Sequence, residues 1–197
     1  MSDHSELIHS ILKVNNGYIT AAQVTSAGVP RRCLNELVLS GDIYKVDRGI
    51  YALPETWEDE MYFLQYRFSK GVFSYGTALY LHSMTDRTPH KYTMTFPYGY
   101  NPSNAKKQGI VAKVTSEFYE LGIVEVISPC GNPLKVYDVE RTLCDIVRGR
   151  NSDDIQLVNQ AMKAYAASSK KDIAKLIDYA EKLRVKSKIL RYMEVLL

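Results

Sequence analysis

Residues 17–53 read GYITAAQVTSAGVPRRCLNELVLSGDIYKVDRGIYAL. Two short helical patterns are broken at Gly28 and followed at once by a strand, a turn and a strand. Thr20-Ala21-Ala22-Gln23 has the form of a capping box, in which the Thr20 hydroxyl accepts from the backbone N–H three residues on and the Gln23 side chain reaches back. A helix is therefore expected from about residue 21. Gly28 offers the permissive backbone that a tight turn requires, and Pro30 suits a first helical position, where its missing N–H is no loss. The second helix is expected over 30–39. Leu34, Leu37 and Val38 recur at helical spacing and should pack inward, leaving Arg31, Arg32, Asn35 and Glu36 on the outer, N-terminal half. After Ser40-Gly41 ends that helix, 43–46 and 50–53 are β-rich runs around the turn signal Asp47-Arg48-Gly49. Helix, turn, helix, strand, turn, strand is the order of a winged helix-turn-helix domain, whose second helix enters the major groove of DNA.

Arginine suits bidentate contact with guanine and asparagine with adenine, so Arg31, Arg32 and Asn35 are the base-reading candidates. Lys45 and Arg48 in the wing, together with Thr20, are candidates for phosphate or minor-groove contacts. The charge balance argues for caution, because residues 1–54 hold five Lys/Arg and five Asp/Glu, without the basic excess of many DNA-binding domains. The alternative is a protein-interaction module that does not bind DNA, with an inert winged scaffold and a basic helical C-terminal face.

Working outward, residues 5–14 place Leu7, Ile8, Ile11 and Leu12 at helical spacing, a first helix that would cover the core of the motif. Asn15-Asn16-Gly17 should stop it. Past Pro54, residues 56–69 read as an aromatic-rich helix with Glu58, Asp59 and Glu60 in its first turn, as the helix dipole favours. Ser74 can cap a helix over 75–83. Strand-like runs follow at 92–96, 110–114, 123–127 and 134–137, with a turn-rich loop at 97–103, and they imply a small mixed sheet. Asp138 can cap a helix holding Val139, Leu143, Ile146 and Val147, with Arg148 and Arg150 near its end and Gly149 as the stop. Ser152 and Ser169 are expected to cap the next two helices, and a last one should begin near Ser187. The fold class is thus α+β: a winged helix-turn-helix domain over 1–54, a linking helix at 55–70, and a mixed α/β C-terminal domain over 71–197 that ends in a helical bundle.

The chain of 197 residues is 46% hydrophobic, which indicates a globular protein. Residues 1–6 are polar, and nowhere do about 18 apolar residues run together, so no signal peptide or membrane span is expected and a cytoplasmic location follows. Three widely spaced cysteines, Cys33, Cys130 and Cys144, do not suggest a disulfide framework. The four histidines, His4, His9, His82 and His90, have no metal-ligand spacing, and neither metal nor cofactor is expected. Of the fifteen tyrosines most should be core or boundary residues, although some could stack on bases.

Charge concentrates at the end of the chain, where residues 160–197 hold nine Lys/Arg against four Asp/Glu. Lys170, Lys171, Lys175, Lys182, Arg184, Lys186, Lys188 and Arg191 could form a face that meets DNA phosphates or an acidic partner. They could equally be a solvated face partly neutralised by pairs such as Asp178 with Lys182. The densest acidic group, Asp138, Glu140 and Asp145, could suggest a metal-dependent nuclease, but on a helix 138 and 140 should point apart and the cap role explains Asp138. No phosphate-cradling glycine loop or nucleophile elbow is present, so a non-enzymatic role is expected.

The ordered set of motifs resembles the abortive infection AbiEi antitoxins. It runs from Gly17-Tyr18-Ile19-Thr20 through Arg48-Gly49-Ile50-Tyr51-Ala52-Leu53-Pro54, then Thr77-Ala78-Leu79-Tyr80-Leu81-His82 with Asp86-Arg87. Phe96-Pro97-Tyr98-Gly99-Tyr100-Asn101 and Val136-Tyr137-Asp138-Val139-Glu140-Arg141-Thr142-Leu143-Cys144-Asp145 complete it. That resemblance implies a two-domain protein of a bacterial type IV toxin-antitoxin pair linked to phage defence. Its winged domain would repress its own operon by binding inverted repeats in the promoter. Its C-terminal domain would oppose a nucleotidyltransferase-like toxin, indirectly and without a stable complex.

Overall fold

A computed structural model describes residues 3–148 and 154–196. Two compact units are distinguished. The first comprises residues 1–64 with the short segment 128–132, and the second comprises 65–127 with 133–197.

In the first unit α1 (Asp3–Val14) is followed by β1 (Tyr18–Thr20), α2 (Ala21–Ser26), α3 (Arg32–Ser40), β2 (Tyr44–Asp47) and β3 (Ile50–Ala52). The strands form an antiparallel sheet in the order β1-β3-β2, so β3 lies between the two edges. This is the expected winged helix-turn-helix. Ile8, Leu12, Ile19, Val24, Val29, Cys33, Leu34, Leu37 and Ile43 form one buried cluster, against which Val38 and Ile11 also pack. Burying such side chains contributes roughly 1.5–3 kcal/mol each before entropy is charged against them. Leu7, expected inward, is instead 40% exposed, because only Ile8 and Leu12 of that helix are fully turned to the core. The strand β1 was not anticipated: three residues carry no readable alternation, and its pairing with β3 defines it.

The helix expected from residue 56 begins later, as α4 (Glu60–Arg67). Asp59 precedes it as a cap, its Oδ1 accepting from the Tyr62 N–H at 3.1 Å. The other oxygen, Oδ2, accepts from the Ser128 hydroxyl at 2.5 Å and the Asn132 amide at 2.9 Å. Asp59 is almost fully buried, so these bonds take the place of its lost hydration. Asn16 Nδ2 donates to the Gly131 carbonyl at 2.6 Å in the same segment. Nearby, the Tyr18 hydroxyl donates to the Trp57 carbonyl, and the Tyr18 ring packs against Tyr62 and Phe63 at 5.4 and 5.6 Å.

The second unit holds β4 (Val72–Phe73), α5 (Tyr75–Leu81), β5 (Thr93–Pro97), α6 (Ser103–Lys107), β6 (Val111–Thr115), β7 (Ile123–Ile127) and β8 (Pro133–Tyr137). Helices α7 (Val139–Arg148), α8 (Ile155–Ala167), α9 (Ile173–Lys182) and α10 (Lys186–Leu196) complete it. The sheet is mixed, in the order β6-β5-β4-β8-β7, with β5 parallel to β6 and β4 parallel to β8. Its central strand β4 has two fully buried residues and escaped the sequence reading, as did α6, which begins at Ser103 where the expected loop ends. Leu143, Ile146, Val158, Met162, Leu176, Ala180, Ile189 and Met193 belong to the buried cluster that joins α7 to α10.

The cap positions differ from expectation at three helices. Ser74 stands at the start of α5 but makes no capping bond, its hydroxyl accepting instead from Thr95 Oγ1 at 2.8 Å. At α9 the cap is Asp172, not Ser169, with the Lys175 N–H donating to its carboxylate at 2.9 Å. Gly149, Arg150 and Ser152 lie outside the described residues, and Asp154 caps α8.

Candidate nucleic-acid interface

The turn between α2 and α3 is built by backbone chemistry legible in the chain. The capping box is present: the Gln23 N–H donates to Thr20 Oγ1 at 3.2 Å, and the Thr20 N–H donates to Gln23 Oε1 at 2.8 Å. At the other end Gly28 adopts φ +75°, its N–H donates to Thr25 O at 3.1 Å and the Val29 N–H donates to Val24 O at 3.0 Å. This is a Schellman ending, and the buried Val24 and Val29 supply its apolar contact. The chain is thereby redirected into α3, which starts at Arg32, two residues after Pro30. Gly41, at φ +84°, ends α3 in the same manner.

Cys33, Leu34 and Leu37 anchor α3 to the core, so Arg31, Arg32, Asn35 and Glu36 are all exposed at its N-terminal end, as expected. Arg31 has a defined direction, because its Nε donates to Thr25 Oγ1 at 2.9 Å. The Thr25 hydroxyl in turn donates to the Ala21 carbonyl at 2.8 Å. Leu39, with 88% of its surface exposed, adds an apolar side chain one turn beyond Asn35 and Glu36 on the outer surface of α3. Arg32, Asn35, Glu36 and Leu39 therefore make an outward row of one donor, one amide that both donates and accepts, one acceptor and one apolar group.

In the wing, β2 and β3 pair with a bulge between Lys45 and Asp47. The Arg48 N–H donates to Asp47 Oδ1 at 2.7 Å, and Gly49 takes φ +79° to close the turn. Lys45 and Arg48 are exposed there. Thr20 is not available to a phosphate: it is 4% exposed and its hydroxyl serves the capping box.

In the second unit the eight basic residues do not form one free face. Lys175 Nζ lies 2.9 Å from Asp138 and 3.3 Å from Glu140, Lys182 pairs with Asp178 at 2.6 Å, and Lys186 pairs with Glu181. Lys188 donates to the Val147 carbonyl at 2.8 Å and Lys171 to the Ser168 carbonyl at 3.3 Å. Lys170, Arg184 and Arg191 are exposed.

The acidic trio is likewise committed, and Asp138 and Glu140 do not point apart. Both converge on Lys175, whose ammonium reaches across from α9, and Glu140 also accepts from the Tyr165 hydroxyl at 3.1 Å. Asp138 caps α7 through the Arg141 N–H at 2.8 Å. Asp145 receives Arg141 Nε at 3.0 Å, and burial raises its carboxyl pKa against the opposing pull of Arg141. Among the described residues no group of three or more His, Cys, Asp or Glu is arranged to hold a metal ion. No described helix is long and apolar enough to cross a membrane.

Residues 11–54 match the model of a family described as transcriptional regulator, AbiEi antitoxin. That match covers the whole helix-turn-helix and its wing, and with it the general character of an antitoxin-class DNA-binding regulator. No curated protein gives a significant match. Among solved structures the chain is similar to the RV2827C protein from Mycobacterium tuberculosis, with 12% identity and a TM-score of 0.47 over 98% of this chain and 82% of that one.

Proposed function

We propose that this chain, an AbiEi-type regulator over residues 11–54, represses its own operon by binding inverted repeats in the promoter. The domain over 1–54 reads the operator, and the region over 71–197 opposes a nucleotidyltransferase-like toxin in the cytoplasm, indirectly and without a cofactor. The observation that carries the reading is the outer end of α3. Arg31, Arg32 and Asn35 stand exposed together on a helix whose opposite side is fastened to the core by Leu34 and Leu37. Base reading needs donors on a rigid element, and this helix supplies them. Lys45 and Arg48 flank it as phosphate contacts, which would compensate for the neutral balance of the segment.

A reporter gene under the promoter of the chain's own operon tests the repression. Expression should fall when the wild-type protein is supplied and recover with Arg31→Ala/Arg32→Ala at equal protein level. A reporter indifferent to the wild-type protein would overturn autorepression. Opposition to the toxin is tested separately by co-expression with the neighbouring gene product: growth should be rescued by the wild type without co-purification of the two proteins.

A further inference from the structure

Within the second unit lies a polar cleft of about 310 Å3, whose walls include Tyr75, Lys113, Arg141, Asp145 and Arg148. It takes its residues from β5, from β6 and the residue after it, from the first residue of α5, and from one side of α7. Three cations face one carboxylate, and the hydroxyls of Thr95, Thr115 and Ser116 add short polar groups.

The buried pair in this cleft is not fully used by the fold. Arg141 and Asp145 have side chains only 1% and 4% exposed. Arg141 Nε donates to Asp145 Oδ2, and its Nη1 donates to the carbonyls of Phe118 and Leu121 at 2.5 and 3.1 Å. Among the described residues Nη2 of Arg141 donates no hydrogen bond and Oδ1 of Asp145 accepts none. Buried guanidinium and carboxylate atoms normally find partners, so an unused donor beside a cleft points to a ligand. The guanidinium is held over the Tyr137 ring at 4.4 Å, which fixes the direction of its remaining N–H groups.

The entrance has matching chemistry. Lys113 Nζ stands 5.2 Å from the centre of the Tyr75 ring, and both Lys113 and Arg148 are exposed. Tyr75 is held at φ +52°, a conformation that residues other than glycine adopt only when their surroundings impose it. This places a planar aromatic beside a cluster of cations, an arrangement suited to a phosphate attached to a flat organic group.

We propose that this cleft binds a small phosphate monoester: its phosphate is taken by Lys113, Arg148 and the free edge of Arg141, and its organic part lies against Tyr75. Asp145 neutralises part of the Arg141 charge and offers Oδ1 to a ligand hydroxyl. The site owes nothing to the helix-turn-helix, so it stands or falls independently of operator binding.

Isothermal titration of the full chain with adenosine 5′-monophosphate, inorganic phosphate and unphosphorylated adenosine tests it. Saturable binding of the monophosphate is expected, with Lys113→Ala and Arg148→Ala each weakening it about tenfold or more while circular dichroism stays unchanged, since both side chains are exposed. Inorganic phosphate that competes for the same site but binds more weakly would support an organic ester as ligand, and equal affinity would overturn the placement of an organic part against Tyr75. Absence of saturable binding by either phosphate, adenosine binding as tightly as its monophosphate, or indifference to both substitutions would overturn the proposal. Displacement of the bound phosphate only by duplex DNA would also overturn it.

Discussion

Arg31 Nε is hydrogen-bonded to Thr25 Oγ1 at 2.9 Å across the turn that joins α2 to α3. The helix α2 thus aims the side chain that stands at the start of α3, the helix proposed to read DNA. Because Thr25 is exposed, removing its hydroxyl should leave stability nearly unchanged. Thr25→Val should instead lower operator affinity about 2- to 10-fold, the cost of immobilising one long side chain being roughly 0.5–1.5 kcal/mol. Fluorescence anisotropy on operator and scrambled DNA would show this as a loss on the operator alone.

The wing should behave in the opposite way. Lys45→Ala and Arg48→Ala are expected to weaken operator and scrambled DNA alike, and each should reduce the steepness of the salt dependence by about 1, the effect of releasing one phosphate. Titrations at several salt concentrations separate this from base reading.

Two glycines with positive φ should differ sharply in their tolerance of a methyl group. Gly28→Ala meets open space, so its cost is the left-handed backbone alone, about 1–2 kcal/mol. At Gly17, φ +84°, a Cβ would lie 2.1 Å from Thr56 Oγ1, and backbone strain and collision add. Urea denaturation should therefore rank Gly17→Ala well below Gly28→Ala.

Much of the first unit was legible because its determinants are local. The Thr20/Gln23 box, Gly28, Gly41 and the 3.6-residue recurrence of Leu34 and Leu37 each act within a few residues. What escaped depends on distant partners. The strand β1 exists through β3, β4 is a two-residue strand inserted between β5 and β8, and α4 starts at Glu60 because Asp59 is held by Ser128 and Asn132. The convergence of Asp138 and Glu140 on Lys175 is of the same kind: α7 and α9 meet through packing that neither helix announces alone. The cleft around Arg141 likewise draws on segments from Tyr75 to Arg148.

Lys175 should make stability depend on pH in the alkaline range. Burial acts most strongly on it and favours the neutral amine, but the carboxylates of Asp138 and Glu140 together outweigh burial and raise the lysine pKa above its ordinary value of 10.5. A raised lysine pKa contributes stability that is fully present below about 10.5 and is lost as pH rises beyond it. Lys175→Met would leave two buried carboxylates without their cation and should destabilise the chain toward the low end of roughly 3–5 kcal/mol. The gap between wild type and variant in denaturation at pH 7–9 should narrow as pH is raised above 11.

The most direct measurement is a salt titration of wild type and Arg31→Ala/Arg32→Ala against the DNA upstream of the chain's own gene and a scrambled duplex of equal length. Wild type should prefer its own promoter, and the double variant should lose that preference by about 1–3 kcal/mol for each base contact removed while keeping its weaker binding to scrambled DNA. Equal affinity of the wild type for both duplexes, or an unchanged preference in the double variant, would contradict α3 as the reading element.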